Sequence, residues 1–283
     1  MKKPKLSVLT PLYNTNPVHL REMIESVLGQ TFRDFEFLIL NDSPDNKELK
    51  TIVESYNDPR IKYFENKKNI GIANSYNRMI DVARGEYFAI CEHDDISVPE
   101  RFEKQVAFLD KNRIVGVVSG QYRYFDGKEK YTSAHPENNR DIKYMLLRGG
   151  CYIAHMTAMI RRSAMNGVRY EERFSPSMDY MLWCRLMEHT AFHNLQEVLI
   201  NYRFHDNMTS IIQKKEMSLA TSEILLWVQN RYPAWMTSEG GGGNKKLSLF
   251  GFIPLLSIKS CKNKTNKRWV KLFGIIPVIK IKG

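Results

Sequence analysis

The sequence predicts an α/β domain built on a mostly parallel central sheet flanked by helices. Three observations carry that reading. Short apolar runs alternate with amphipathic stretches through the first half of the chain. The connections between them are brief. Proline stands in the first turn of two helical patterns, at Asn16-Pro17 and at Val98-Pro99-Glu100, where its missing N–H costs nothing. Strand–helix units repeated in this way generate a parallel sheet covered on both faces.

Strands are expected at Leu6–Leu12, Glu36–Leu40, Ile61–Phe64, Tyr87–Cys91 and Val115–Ser119. Helical patterns lie near Val18–Leu28, Lys47–Tyr56, Ile72–Ala83 and Glu100–Asp110. In such sheets ligands bind beyond the carboxyl ends of the strands. Tyr13-Asn14, Asn41-Asp42 and His93-Asp94-Asp95 each follow an apolar strand directly, so they share one rim. The second half is less regular. Arg123–Arg140 is polar and reads as loop-rich, Cys151–Ile160 as a further strand, and Met178–Glu188 and Ser218–Asn230 as helices.

The net charge of +11 is concentrated at one end. From Asn244 to Gly283 there are ten Lys or Arg and no Asp or Glu, while residues 1–243 hold 32 basic and 31 acidic residues. Partners for the charge are therefore sought at the tail. The chain divides into a domain over 1–238, a Gly-rich linker over 239–244 and a basic tail over 245–283. The tail repeats itself at an offset of 23 residues: Leu249-Phe250-Gly251-Phe252-Ile253-Pro254 returns as Leu272-Phe273-Gly274-Ile275-Ile276-Pro277. Apolar groups beside lysines favour an anionic membrane surface. The alternative is a pair of β-segments that pack on the body or on each other. Few stacking aromatics accompany the charge, so no nucleic acid is expected.

Cys91, Cys151, Cys184 and Cys261 form no CxxC pair and read as reduced thiols, in keeping with a cytoplasmic setting. The run Leu6–Leu12 is short and contains Ser7, Thr10 and Pro11, so it reads as a buried strand rather than a secretory signal. No stretch approaches the roughly 20 apolar residues of a spanning helix. The expected location is the inner face of the cytoplasmic membrane, held peripherally by the tail.

The chemistry begins at Asp94-Asp95. Adjacent carboxylates on a loop after a strand suit Mg²⁺ or Mn²⁺, which prefer oxygen ligands shared with substrate phosphates. The alternative is that Asp95 only caps the helix starting near Pro99.

The surrounding motifs resemble those of family 2 glycosyltransferases with the GT-A fold. Ser7-Val8-Leu9-Thr10-Pro11-Leu12-Tyr13-Asn14 matches the ending of that family's first strand. Asn41-Asp42-Ser43-Pro44-Asp45-Asn46 resembles its second-strand turn, shortened by a residue and lacking the glycine. Asn69-Ile70-Gly71, with Asn77 further along, and Ala83-Arg84-Gly85-Glu86-Tyr87-Phe88 follow in order. Glu92-His93-Asp94-Asp95 is similar to the family's DxD element. Asp179-Tyr180-Met181-Leu182-Trp183-Cys184-Arg185 and Tyr202-Arg203-Phe204-His205 extend the likeness to about residue 215. Met178 stands where the family usually has Glu, which leaves the tuning of Asp179 open.

The resemblance implies an inverting transfer from a nucleotide-sugar donor, a UDP-sugar foremost, to a glycan or lipid-linked acceptor in surface polysaccharide or lipooligosaccharide synthesis. Thr10, Pro11 and Tyr13 would border the base, and Asp42 would hold base or ribose. Asn69, Asn77, Asp94 and Arg203 would complete the donor site. Asp95 and His205 would bind Mn²⁺ or Mg²⁺. Asp179 would be the general base, with Glu171 and Glu172 as fallbacks. His155 reads as a buried, satisfied histidine, with a place beside the acceptor as the alternative. No Gly-rich phosphate loop follows the first strand, which argues against nucleotidyl transfer and against a dinucleotide-binding dehydrogenase. A catalytically degenerate member that binds the nucleotide-sugar or scaffolds a membrane complex remains the rival.

Overall fold

The computed structural model describes residues 3–125, 131–204, 208–237, 261–262 and 268–269. The first unit, Met1–Met236, opens with three strand–helix units and a fourth strand. These are β1 (Leu6–Leu12), α1 (Pro17–Leu28), β2 (Phe35–Asn41), α2 (Lys47–Glu54), β3 (Ile61–Glu65), α3 (Ile72–Val82) and β4 (Tyr87–Ile90). A two-residue strand β5 (Ile96–Ser97), α4 (Arg101–Lys111) and the long β6 (Val115–Phe125) follow. Then come α5 (Asn139–Leu146), β7 (Met159–Arg161), α6 (Arg162–Met165), α7 (Met178–Leu186) and β8 (Ala191–Arg203). The unit ends in α8 (Thr209–Ile212), α9 (Lys214–Arg231) and α10 (Pro233–Thr237).

The eight strands order as β3-β2-β1-β4-β7-β6-β8-β5. β1 through β4 run parallel, and β6 runs parallel to β8, while β7 and β5 are antiparallel to their neighbours. β1 alternates its side chains between two cores, as a strand covered on both faces must. Val8 joins the cluster under α1, α2 and α4 with Met23, Leu49 and Phe102. Leu9 joins the cluster under α3, α5, α7 and α9 with Tyr76, Ile142, Trp183 and Ile224. The chain moves outward from β1 to β3 and then returns to place β4 on the other side of β1. That reversal leaves a crevice beyond the carboxyl ends of β1 and β4.

Pro11 helps open it. The Leu9 carbonyl accepts the Cys91 N–H, so odd-numbered β1 positions face β4. Pairing with β4 ends at Leu9, and Pro11 stands just beyond, where its missing donor breaks no ladder bond.

Two expectations are corrected. Cys151–Ile160 is not a continuous strand: His155–Thr157 forms a 3₁₀ turn and only Met159–Arg161 pairs. Thr157 explains the turn, because its hydroxyl donates 2.9 Å to the Ala154 carbonyl and curls the backbone. An apolar run buried on all sides does not reveal this by periodicity. Arg123–Arg140 is also more ordered than expected. β6 runs to Phe125, Thr132 bridges to Arg123, and α5 begins at Asn139 behind an Asn138 side-chain cap.

The second unit, Thr237–Gly283, contains an antiparallel pair, β9 (Cys261–Lys262) with β10 (Arg268–Trp269). The Gly-rich linker and both Phe-Gly-x-x-Pro repeats lie outside the described residues. Among the described residues no helix is long and apolar enough to cross a membrane.

Candidate active site

The loop after β4 gathers three carboxylates. Glu92, Asp94 and Asp95 each bring an oxygen within 4.8 Å of the others. Asp95 is the buried member. Its Oδ1 accepts the Arg203 backbone N–H at 2.9 Å, and its Oδ2 has no hydrogen-bond partner. Burial, followed by the charges of Asp94 and Glu92, pushes the Asp95 carboxyl well above the usual carboxylate range. Asp95 therefore does not cap α4, whose first residue is Arg101.

An orphaned buried oxygen amid like charges is costly unless a cation joins it. This donor set, three carboxylates and no thiolate, fits a hard divalent ion. The loop is anchored from below by Arg101, which is 0% exposed. Its guanidinium donates to the Ile90 carbonyl at 2.7 Å and to Ser97 Oγ at 3.1 Å. It also lowers the Asp95 carboxyl electrostatically, against the larger upward effects.

Arg203 ends β8 and is buried. It pairs with Glu22 of α1, donates Nε to the Asp94 carbonyl at 3.0 Å, and lies 4.4 Å over the Phe125 ring. It fastens the acidic loop to β8 and α1. His205 lies outside the described residues.

The β1 rim presents Tyr13, 55% exposed, followed by Asn14 at φ 47°. Asn tolerates this left-handed conformation better than most residues, and its N–H donates to Ser43 Oγ at 2.8 Å. Thr10 is buried with its hydroxyl unpartnered. Pro11 is buried beside it.

Asp42 is buried at the end of β2, where it organises the start of α3. Its carboxylate accepts from Asn66 Nδ2 at 2.6 Å and from the backbone N–H groups of Ile70 and Gly71, both at 3.0 Å. Asn69 Oδ1 also accepts from Gly71, at 3.1 Å. Glu172 completes the turn from 99 residues away: its Oε2 takes the Ala73 N–H at 2.9 Å and the Asn74 N–H at 3.3 Å. Two carboxylates thus accept from four backbone N–H groups around this helix start. Asn77 grips the backbone of Tyr170 with both amide ends, at 2.9 and 3.0 Å. Glu171 is engaged by Arg185 at 2.6 Å and Arg173 at 3.1 Å. Both fallback bases are thus held in structural contacts.

Asp179 lies in the first turn of α7 and is half-buried. Burial, its largest influence, raises its carboxyl, while the nearby His155 lowers it. Cys151 Sγ lies 3.7 Å from Oδ2. His155 links this carboxyl to the acidic loop. Its Nδ1 is 3.1 Å from Glu92 Oε1 and its Nε2 is 2.9 Å from the Tyr170 hydroxyl. Tyr76 packs edge-on against its ring at 5.1 Å. The buried, satisfied reading of His155 describes these contacts, and the residue also borders both acidic groups.

Sequence reasoning passed over Glu92 as a ligand candidate, although its spacing from Asp94 was visible. Arg101 and Tyr170 carry no motif signal. Their roles follow from tertiary contacts alone.

A sheet that reverses at β1, with carboxylates gathered at the reversal, is the arrangement of the GT-A fold. The model of Glycosyl transferase family 2 matches residues 7–168. An uncharacterized glycosyltransferase of Methanocaldococcus jannaschii is 32% identical over 225 residues, covering 77% of each chain. EpsE of Bacillus subtilis, named as a glycosyltransferase, is 35% identical over 71% of this chain and 73% of its own. An uncharacterized glycosyltransferase of Rickettsia felis is 32% identical, but this chain spans only 35% of its length. Among solved structures, Staphylococcus aureus TarS in complex with UDP-GlcNAc aligns with a TM-score of 0.62 at 18% identity, covering 82% of this chain and 73% of that one. A mannosyltransferase of Pyrobaculum calidifontis in complex with GDP-Man and Mn²⁺ aligns at 0.57 and 14% identity, covering 86% and 77%. The chain belongs to glycosyl transferase family 2 and is a glycosyltransferase.

Proposed function

We propose that the protein transfers a sugar with inversion from a UDP-sugar, or another nucleotide-diphospho-sugar, to a hydroxyl of a glycan or lipid-linked acceptor. The observation that carries this reading is the buried, unpartnered Asp95 oxygen among three carboxylates at the sheet's reversal. Asp95, Asp94 and Glu92 would hold Mn²⁺ or Mg²⁺, with His205 as a further ligand. A divalent ion there supplies charge stabilisation for the departing diphosphate.

The chain's own residues do the rest. Tyr13, Thr10 and Pro11 border the base, and Asp42 and Asn69 shape the turn that receives the ribose side. Asp179 takes the proton of the acceptor hydroxyl. That oxygen attacks the anomeric carbon opposite the diphosphate, and the breaking C–O bond leaves its electron pair on the diphosphate. His155 sets the field between Asp179 and Glu92.

A surface glycan as the destination of the product rests on the family resemblance and the basic tail together. The basic tail supports peripheral attachment to an anionic membrane face.

The test is donor hydrolysis by the full chain with UDP- and GDP-sugars, with Mn²⁺ or EDTA. Metal-dependent release of a nucleoside diphosphate from one donor supports the reading. Donor binding without turnover under any condition would favour the degenerate alternative.

A further inference from the structure

A dense aromatic cluster stands at the open end of β6 and β8. Tyr124 is its hub. The rings of Tyr131, Tyr202, Phe204 and Tyr122 lie 5.0, 5.5, 5.5 and 5.8 Å from its centroid. Strand register creates the cluster. Tyr124 pairs with Tyr202 across the parallel ladder, so both rings share a face. Tyr122 stands two residues before Tyr124, and Phe204 two after Tyr202, which keeps them on that side. The Tyr124 N–H donates to the Tyr131 carbonyl at 2.9 Å and folds the fifth ring beside the others.

These rings are not a closed core. Tyr131 is 45% exposed and Phe204 41%, while the other three are half-buried. A contiguous exposed aromatic patch marks a binding surface more often than a packing accident. The patch also adjoins the acidic loop. Tyr202 immediately precedes Arg203, whose N–H holds Asp95. After burial, the charges of Glu92, Asp95 and Asp94 are what push up the Tyr202 hydroxyl.

We infer that this aromatic ladder seats the acceptor as a pyranose saccharide. Its sugar rings lay their apolar C–H faces on Tyr131, Phe204 and Tyr124, and its terminal unit passes Tyr202 to reach the acids. The inference rests on the proposed transfer to a glycan. Four of the five rings carry a hydroxyl, so the ladder offers flat apolar faces with hydrogen-bonding edges. A saccharide is built in the same way, with an apolar face and polar rim. An acyl chain needs no such edges, and the hydroxyl of the exposed Tyr131 gives it no benefit.

The experiment uses the full chain on an immobilised array of pyranose oligosaccharides, with and without UDP and Mn²⁺. Tyr131→Ala and Phe204→Ala alter exposed rings, so folding should tolerate both. Tyr144→Ala, an exposed tyrosine on α5, is the control. The wild type should bind at least one oligosaccharide. Each ladder variant should weaken that binding at least about tenfold, Tyr131→Phe should fall between the wild type and Tyr131→Ala, and Tyr144→Ala should match the wild type. No binding to any oligosaccharide, or equal binding by the ladder variants, overturns the inference. Binding to phospholipid vesicles that is lost in the same variants would assign the ladder to lipid and also overturn it. Donor hydrolysis by the wild type, run without acceptor, tests the donor reading separately. Its failure would leave the array result to be judged alone.

Discussion

Gly71 is the position where a single methyl group should disturb the donor side most. It lies at φ 87° and ψ 160°, a region essentially reserved for glycine that costs an L residue about 1–3 kcal/mol. A Cβ there would stand 2.3 Å from the Glu172 carboxyl carbon, so that side chain must leave. Its departure strands the N–H groups of Ala73 and Asn74 and removes an N-terminal carboxylate. Losing such a cap costs about 1 kcal/mol. Gly71→Ala should therefore destabilise the domain by about 2–4 kcal/mol, read as a lowered urea midpoint at unchanged slope. The two contributions separate in a double-mutant cycle. With Glu172→Ala already in place, Gly71→Ala should cost only the backbone part, about 1–3 kcal/mol. Full additivity would refute the clash, and a Gly71→Ala cost below about 0.5 kcal/mol would refute the whole argument.

Further outcomes follow from the same contacts. Arg101→Met leaves the Ile90 carbonyl and the acidic loop without their buried cation, and should cost about 3–5 kcal/mol in urea unfolding. Asn77→Ala removes both bonds to the Tyr170 backbone and should cost about 1–3 kcal/mol by the same measurement. The proposed base must be ionised to act, and burial raises the Asp179 carboxyl. Activity should thus fall, as pH descends, before the ordinary carboxylate range is reached. His155→Asn removes the influence that lowers Asp179, so its pH–rate profile should shift that limb further upward.

The parallel half of the fold was legible because each of its strands is an apolar run bounded by turns. β1 to β4 and α1 to α4 fall within a few residues of their expected limits. The 3₁₀ turn at His155 escaped detection because a threonine hydroxyl bond, not periodicity, decides it. The acidic loop was legible as a motif, since its members are adjacent in sequence. Glu172 at the start of α3 and Arg101 beneath Asp95 were not. Each acts on a distant segment or through burial, and no local pattern encodes either relation. The aromatic ladder needed the β6–β8 register, which a sequence alone does not supply.

The most direct test of the account measures donor binding and turnover with Mn²⁺ and with EDTA, for the wild type, Asp95→Ala and Asp179→Asn. The account predicts binding by the wild type only with metal, loss of binding in Asp95→Ala, and binding without turnover in Asp179→Asn. Metal-independent donor binding that survives Asp95→Ala, or full turnover by Asp179→Asn, would contradict it.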